Sequence, residues 1–235
     1  MQLPPLTNGR ILSRYKRFLA DVELGDGSQV TAHCPNTGRM TGCWAPGAPV
    51  QLSFSDNPKR KLAWTLERVD MGAGWVGVNT ARTNSVVAEA ITEGRVLALS
   101  GYQRLQREVR FDVPGHPASR LDLLLSEGGG LDALVEIKNV TLLDEDSLQF
   151  PDAVSERARK HLEMLIGAVE RGLRGVILFA VNRPEGHYFT PASAIDPKYG
   201  KRLSEVVAGG VEAYALRLRH TADGIVGDGM VPVVL

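Results

Sequence analysis

The spacing of apolar and polar residues changes character near residue 84. Before it, short extended runs at residues 10–24, 28–35, 49–55, 61–70 and 75–80 alternate with turn formers. The separators are Gly25-Asp26-Gly27, Pro46-Gly47, Asp56-Asn57-Pro58 and Gly72-Ala73-Gly74, residues that supply the backbone angles of tight turns. Asp26-Gly27 is a strong hairpin signal. Five runs with no helical period predict a small barrel, and a five-stranded OB-fold is the first candidate. An SH3-like barrel fits the same spacing.

After residue 84 the period lengthens. Asn84 or Ser85 is placed to cap a helix reaching about residue 99, with Val86, Val87, Ala90, Ile91 and Leu97 apolar. Strands are predicted at 108–113, 120–125 and 131–140, and a helix at about 153–172 carries the stripe Leu162, Leu165, Ile166 and Val169. A continuous apolar run at 175–181 reads as a buried strand. A helix near 199–208 and strands at 212–219 and 231–234 complete the chain. The order α-β-β-β-α-β suits an α/β unit with a mixed sheet, so the chain divides into residues 1–83 and 84–235. Gly128-Gly129-Gly130 joins two strands and opens no helix, which makes it a hairpin loop and not a phosphate loop.

Composition narrows the class. The 235 residues are 43% apolar and 23% charged, ordinary globular proportions that argue against disorder. No apolar run is long enough for a transmembrane helix, and the first ten residues lack a signal pattern. A cytoplasmic protein without membrane partners is expected, with Cys34 and Cys43 as reduced, partly buried thiols. The net charge is zero, yet residues 1–84 hold ten Lys/Arg against six Asp/Glu, and residues 85–235 hold 17 against 21. That asymmetry suggests two units with different tasks.

In the first unit, Arg14, Tyr15, Lys16, Arg17 and Phe18 interleave cations with aromatics, and Lys59, Arg60 and Lys61 form a second basic cluster. Cations hold phosphates and aromatic faces stack bases, so both are candidate nucleic-acid contacts, set against a solvated strand with core aromatics. Read as one strand, Arg14, Lys16 and Phe18 share a face. Between them in sequence, His33, Cys34 and Cys43 are zinc-ligand types, but no fourth ligand and no CxxC pair accompany them. Asn36 and Gly38 read better as turn residues. Trp44, Trp64 and Trp75 are assigned to the barrel core or rim.

The hairpin of the second unit carries the chemistry. Centring its loop on Gly129 sets Asp122 opposite Glu136, where like charges repel. Lys138 projects from the face of Glu136, and Arg120 from that of Asp122. One account has Arg120 and Lys138 neutralise the acids. The other has Asp122, Glu136 and the Ile137 carbonyl hold Mg²⁺ or Mn²⁺ through oxygen, with Lys138 serving the attacking water or the phosphate.

Asp122 followed by Glu136-Ile137-Lys138 resembles the PD-(D/E)xK nuclease signature, in a core of the same element order; Leu121 stands where many members have Pro. That resemblance implies a further metal-binding acid on the first helix, for which Glu89 is the candidate, and polar residues on the second, which are Glu156, Arg157, Lys160 and His161. For His161 a solvated or capping role is the default. Residues 14–21, 33–38, 40–43, 119–122, 135–138 and 150–154 together resemble the sugar fermentation stimulation protein A family over nearly the whole chain. The resemblance implies an N-terminal OB-fold, a restriction-endonuclease-like C-terminal α/β domain, DNA binding and a link to sugar metabolism.

Three functions follow: a DNA-binding protein with a nuclease-like metal site, an active nuclease on DNA or RNA, or a regulator that reuses both folds without nucleic acid. A near-neutral charge favours the last, but a local basic strip suffices for the first.

Overall fold

The computed structural model describes residues 1–235. Six strands come first: β1 (Leu6–Tyr15), β2 (Leu19–Leu24), β3 (Gln29–His33), β4 (Pro49–Phe54), β5 (Trp64–Asp70) and β6 (Trp75–Gly77). The antiparallel ladder runs β3-β2-β1-β4-β5, and a parallel pairing of β3 with β5 closes it into a five-stranded barrel of OB type, with β6 appended to β5. Alternate residues point inward, and Ile11, Val22, Ala32, Leu52, Leu66 and Val69 fill the interior with Cys34, Met40 and Cys43. Both cysteines are free and buried.

The first extended run is not one strand. It folds back at residues 16–18, where Lys16 (φ 49°) and Arg17 (φ 67°) take left-handed angles. Lys16, Arg17 and Phe18 therefore sit on a hairpin tip, while Arg14 and Tyr15 end the strand before it, so the five residues do not alternate across one strand face.

The second unit follows as α1 (Thr80–Thr92), a 3₁₀ turn (Leu97–Leu99), β7 (Arg104–Phe111), β8 (Ser119–Ser126), β9 (Ala133–Val140), β10 (Leu142–Asp144), β11 (Ser147–Phe150), α2 (Glu156–Val169), β12 (Arg174–Val181), β13 (Tyr188–Pro191), α3 (Pro197–Ala208), β14 (Glu212–His220) and β15 (Ile225–Val231). A mixed sheet runs β15-β14-β12-β9-β8-β7, parallel through β14, β12 and β9. α1 packs on one face and α2 with α3 on the other, each over its own apolar core. A small sheet of β10, β11 and β13 lies beside it.

α1 starts four residues before the expected cap, because Asn79 caps it by accepting from the Ala81 N–H. The last strand lies at β15, earlier than residues 231–234. The chain's first residues cross to the second unit: Leu3 N–H donates to Asp223 O (2.8 Å) and Leu3 enters the α1-side core.

Two buried side chains of β5 join the units. Glu67 accepts from Ser53, Asn79 and Arg82, the last on α1. Arg68 donates to the Thr221 and Ala222 carbonyls at 2.7 and 3.0 Å and lies under the Trp75 ring. No helix is long and apolar enough to cross a membrane.

Candidate metal centre

The register of the central hairpin is the one centred on Gly129: Leu125 pairs with Ala133, Leu124 with Leu134, and Leu123 with Val135. There the ladder stops, and Asp122 and Glu136 are the next residues on the two strands, at the mouth of a fork. The other neighbour of β8 also yields here. The β7 pairs Arg107–Leu123 and Val109–Leu121 flank a missing pair, and Glu108 in the gap has φ 55°. Leu123 packs on the α1 side of the sheet but Leu121 on the α2 side, so β8 twists about Asp122 instead of simply alternating.

The twist leaves the Asp122 carboxylate bridging two partners. Oδ2 accepts the Ile137 N–H at 2.7 Å, and Oδ1 accepts Nδ2 of Asn84 on α1 at 2.7 Å. A strand residue's N–H and C=O point to the same edge, so the Ile137 carbonyl faces the fork as well. Glu136 and Lys138 project from the opposite face of β9 to Ile137, toward α2. Lys138 Nζ donates to Glu136 Oε1 at 2.6 Å, and His161 Nδ1 contacts that oxygen and lies 3.2 Å from Lys138 Nζ.

Glu136 is 2% exposed, and its second oxygen, Oε2, is buried without a hydrogen-bond partner. Such an oxygen is costly unless a donor or cation reaches it.

Electrostatics set the two acids apart. Burial and the neighbouring Glu136 push the Asp122 pKa up to about 6, against the Ile137, Lys138 and Asn84 contributions. For Glu136, burial works upward too, but the His161 and Lys138 contacts outweigh it and hold the carboxyl below its usual range. Two acids, one raised by the other's charge, a carbonyl and an orphan carboxylate oxygen form a hard-oxygen donor set that fits a divalent cation.

The structure brings Asp122, Glu136, Ile137 and Lys138 together. It does not bring Glu89, whose carboxylate pairs with the Met1 amine; Asn84 is the α1 residue at the site. Arg120 does not neutralise Asp122. It is exposed and faces Arg110 across the ladder. His161 is buried, neither solvated nor capping, and spacing could have shown it: Ala158 and Leu165, three before and four after, are both buried on α2.

In the barrel, Lys16, Arg17 and Phe18 are exposed in the β1–β2 loop, and Lys59, Arg60 and Lys61 are exposed in the β4–β5 loop. Arg14 is different. Its NH2 group donates to the carbonyls of Arg17, Asn36 and Gly38 at 2.7–2.9 Å, tying two loops together.

The model of the sugar fermentation stimulation protein N-terminal OB domain matches residues 12–78, and that of the same protein's RE domain matches residues 81–224. The chain belongs to the sugar fermentation stimulation protein family. A homolog from Geobacter metallireducens is 51% identical over the full length of both chains. One from Acidithiobacillus ferrooxidans is 50% identical over 96% of each. Among solved structures, Pyrococcus furiosus SfsA in complex with Ca²⁺ superposes with a TM-score of 0.87 at 27% identity, covering 100% of this chain and 98% of that one. The OB barrel followed by the mixed α/β sheet is thus the family's architecture.

Proposed function

We propose that this member of the family is a DNA-binding protein with a divalent-cation, nuclease-like centre, in which residues 1–83 hold the strand and residues 84–235 carry the metal. The observation that carries this reading is the buried, unpartnered Oε2 of Glu136 at a fork shared with Asp122. The Ca²⁺ complex of the Pyrococcus furiosus relative supports an oxygen-ligated ion in this architecture.

Asp122, Glu136 and the Ile137 carbonyl would hold Mg²⁺ or Mn²⁺. Such an ion polarises a phosphodiester and acidifies a bound water. Asn84 and the Ile137 N–H fix the Asp122 carboxylate, and His161 fixes Glu136. Lys138 would serve the attacking water or the negative charge growing on the phosphate. On the barrel, the β1–β2 and β4–β5 loops are the ones OB-folds use for oligonucleotides. Lys16, Arg17, Lys59, Arg60 and Lys61 supply phosphate contacts there, Phe18 supplies a stacking ring, and Arg14 positions the loops. Single-stranded RNA presents the same two features. Regulation of sugar-metabolism genes needs only the DNA contact.

The test is incubation of single- and double-stranded DNA with the protein and Mn²⁺ or Mg²⁺, beside Asp122→Ala and Lys138→Ala. Cleavage that falls at least about 100-fold in both variants is expected. Cleavage that persists in both belongs to another site. Salt-sensitive binding without cleavage leaves a DNA-binding regulator, and no binding removes nucleic acid from the function.

A further inference from the structure

A small polar cavity opens where the barrel loop at residues 36–38 meets β9 and β11. It encloses about 260 Å³, with Thr37, Asn139, Gln149 and Phe150 among its walls. Two of its walls continue elements of the metal centre: Thr80 lies one turn before Asn84 on α1, and Asn139 follows Lys138 on β9. We infer that this cavity receives one unpaired nucleobase of the strand held at the metal centre, an assignment that rests on the nucleic-acid reading above.

Its chemistry separates a base from a phosphate. The one charged residue in the wall is Asp152, which repels an anion. Uncommitted polar groups are mixed in kind. The Asn36 and Asn139 oxygens are taken, by Gly38 N–H and by Thr83 with Asn182, leaving their NH₂ groups as donors. The Gln149 NH₂ is taken by Ser147 and Asp144, leaving its oxygen as an acceptor. Donors beside an acceptor match the edge of a base, whereas a phosphate site presents donors alone.

Phe150 gives an apolar wall made rigid by Tyr199, whose ring lies 5.4 Å away. The size admits one base, since sites for larger ligands run from about 300 Å³ upward. The cavity is also prebuilt. Asp152 accepts the Arg39 N–H at 2.9 Å, and a Cβ on Gly38 would come within 2.4 Å of that carboxylate, so the loop closes down on it only because residue 38 is glycine.

The experiment compares fluorescence anisotropy of a thymidine dodecamer with that of a base-free dodecamer of the same backbone, in Ca²⁺. The variants are Gln149→Leu and Thr37→Val, with Ca²⁺ affinity by calorimetry as the check on folding. The wild type should prefer the base-bearing strand by about tenfold or more. Each variant should lose at least about threefold of that preference, while Phe18→Ala removes only the stacking share. Equal wild-type affinity for the two strands, or variants that keep the full preference, overturns the cavity's assignment and leaves DNA binding intact. Competition by glucose but not by thymidine overturns it in favour of a saccharide. Failure to bind either strand overturns the DNA reading and the cavity's assignment with it.

Discussion

Asp122 is held in a state that works against the fold. Its pKa is raised from 3.8 to about 6 by burial and by Glu136. A raised carboxyl binds its proton more tightly folded than unfolded, so it stabilises in acid and that stability is lost as pH rises through about 6. Above that the ionised group destabilises the metal-free protein, by at most about 3 kcal/mol. Asp122→Asn keeps an oxygen for the Ile137 N–H, and Asn84 can turn its amide to offer its own oxygen. The variant should therefore be more stable than the wild type at pH 7.5 in EDTA, by roughly 1–3 kcal/mol in urea, and should gain much less from added Mn²⁺. A metal-free variant less stable than the wild type would show that Asp122 is a structural partner of Ile137 and not a strained ligand. His161 makes the complementary point. Its helix face was legible from Ala158 and Leu165, but a buried histidine contacting Glu136 requires the tertiary approach of α2 to β9, which no local pattern encodes.

At the scale of elements, the turn between β1 and β2 runs against local preference. Non-glycine residues at left-handed angles cost roughly 1–2 kcal/mol each, yet Lys16 and Arg17 occupy two in succession. Asn and Gly suit such angles. The double variant Lys16→Asn, Arg17→Gly should raise the melting temperature while weakening DNA binding. The slope of log affinity against log salt should shrink by about 1.5, as two phosphate contacts disappear. An unchanged slope would take this loop out of the DNA interface. The same turn explains a misreading: an unbroken cationic and aromatic run carries no Gly or Pro to announce a reversal. Strands β10, β11 and β13 escaped for another reason, since three or four residues give too short a period. The central hairpin was readable to the residue, because buried strands on both sides of a Gly-rich loop admit one register. Its fork was not, since that depends on Glu108 and Asp122 leaving the β7 ladder together.

At the scale of the molecule, the two units meet across buried polar groups, and one of them titrates. His220 of β14 lies where the barrel's Gly77 approaches so closely that a Cβ there would come within 2.5 Å of the ring. Its Nε2 meets Asn182 Oδ1 at 3.2 Å and its Nδ1 is buried without a partner. Burial, with Arg68 adding to it and Glu67 opposing, pushes the His220 pKa down to about 4. Above pH 6.5 the ring is neutral folded or unfolded and contributes nothing to the pH dependence. Below 6.5 the unfolded chain takes up a proton that the folded chain refuses. Stability then falls by up to about 1.4 kcal/mol per pH unit until pH approaches 4. Between pH 6.5 and pH 5 that amounts to at most about 2 kcal/mol, opposite in sign to the Asp122 effect. His220→Gln keeps a donor for Asn182 and cannot titrate. The urea midpoint should therefore fall less between pH 7.5 and pH 5.0 for the variant than for the wild type. Parallel acid losses in the two proteins would mean that the joint between barrel and sheet opens enough to hydrate the imidazole, and that the units are held by their other cross-contacts, Glu67 and Arg68 among them.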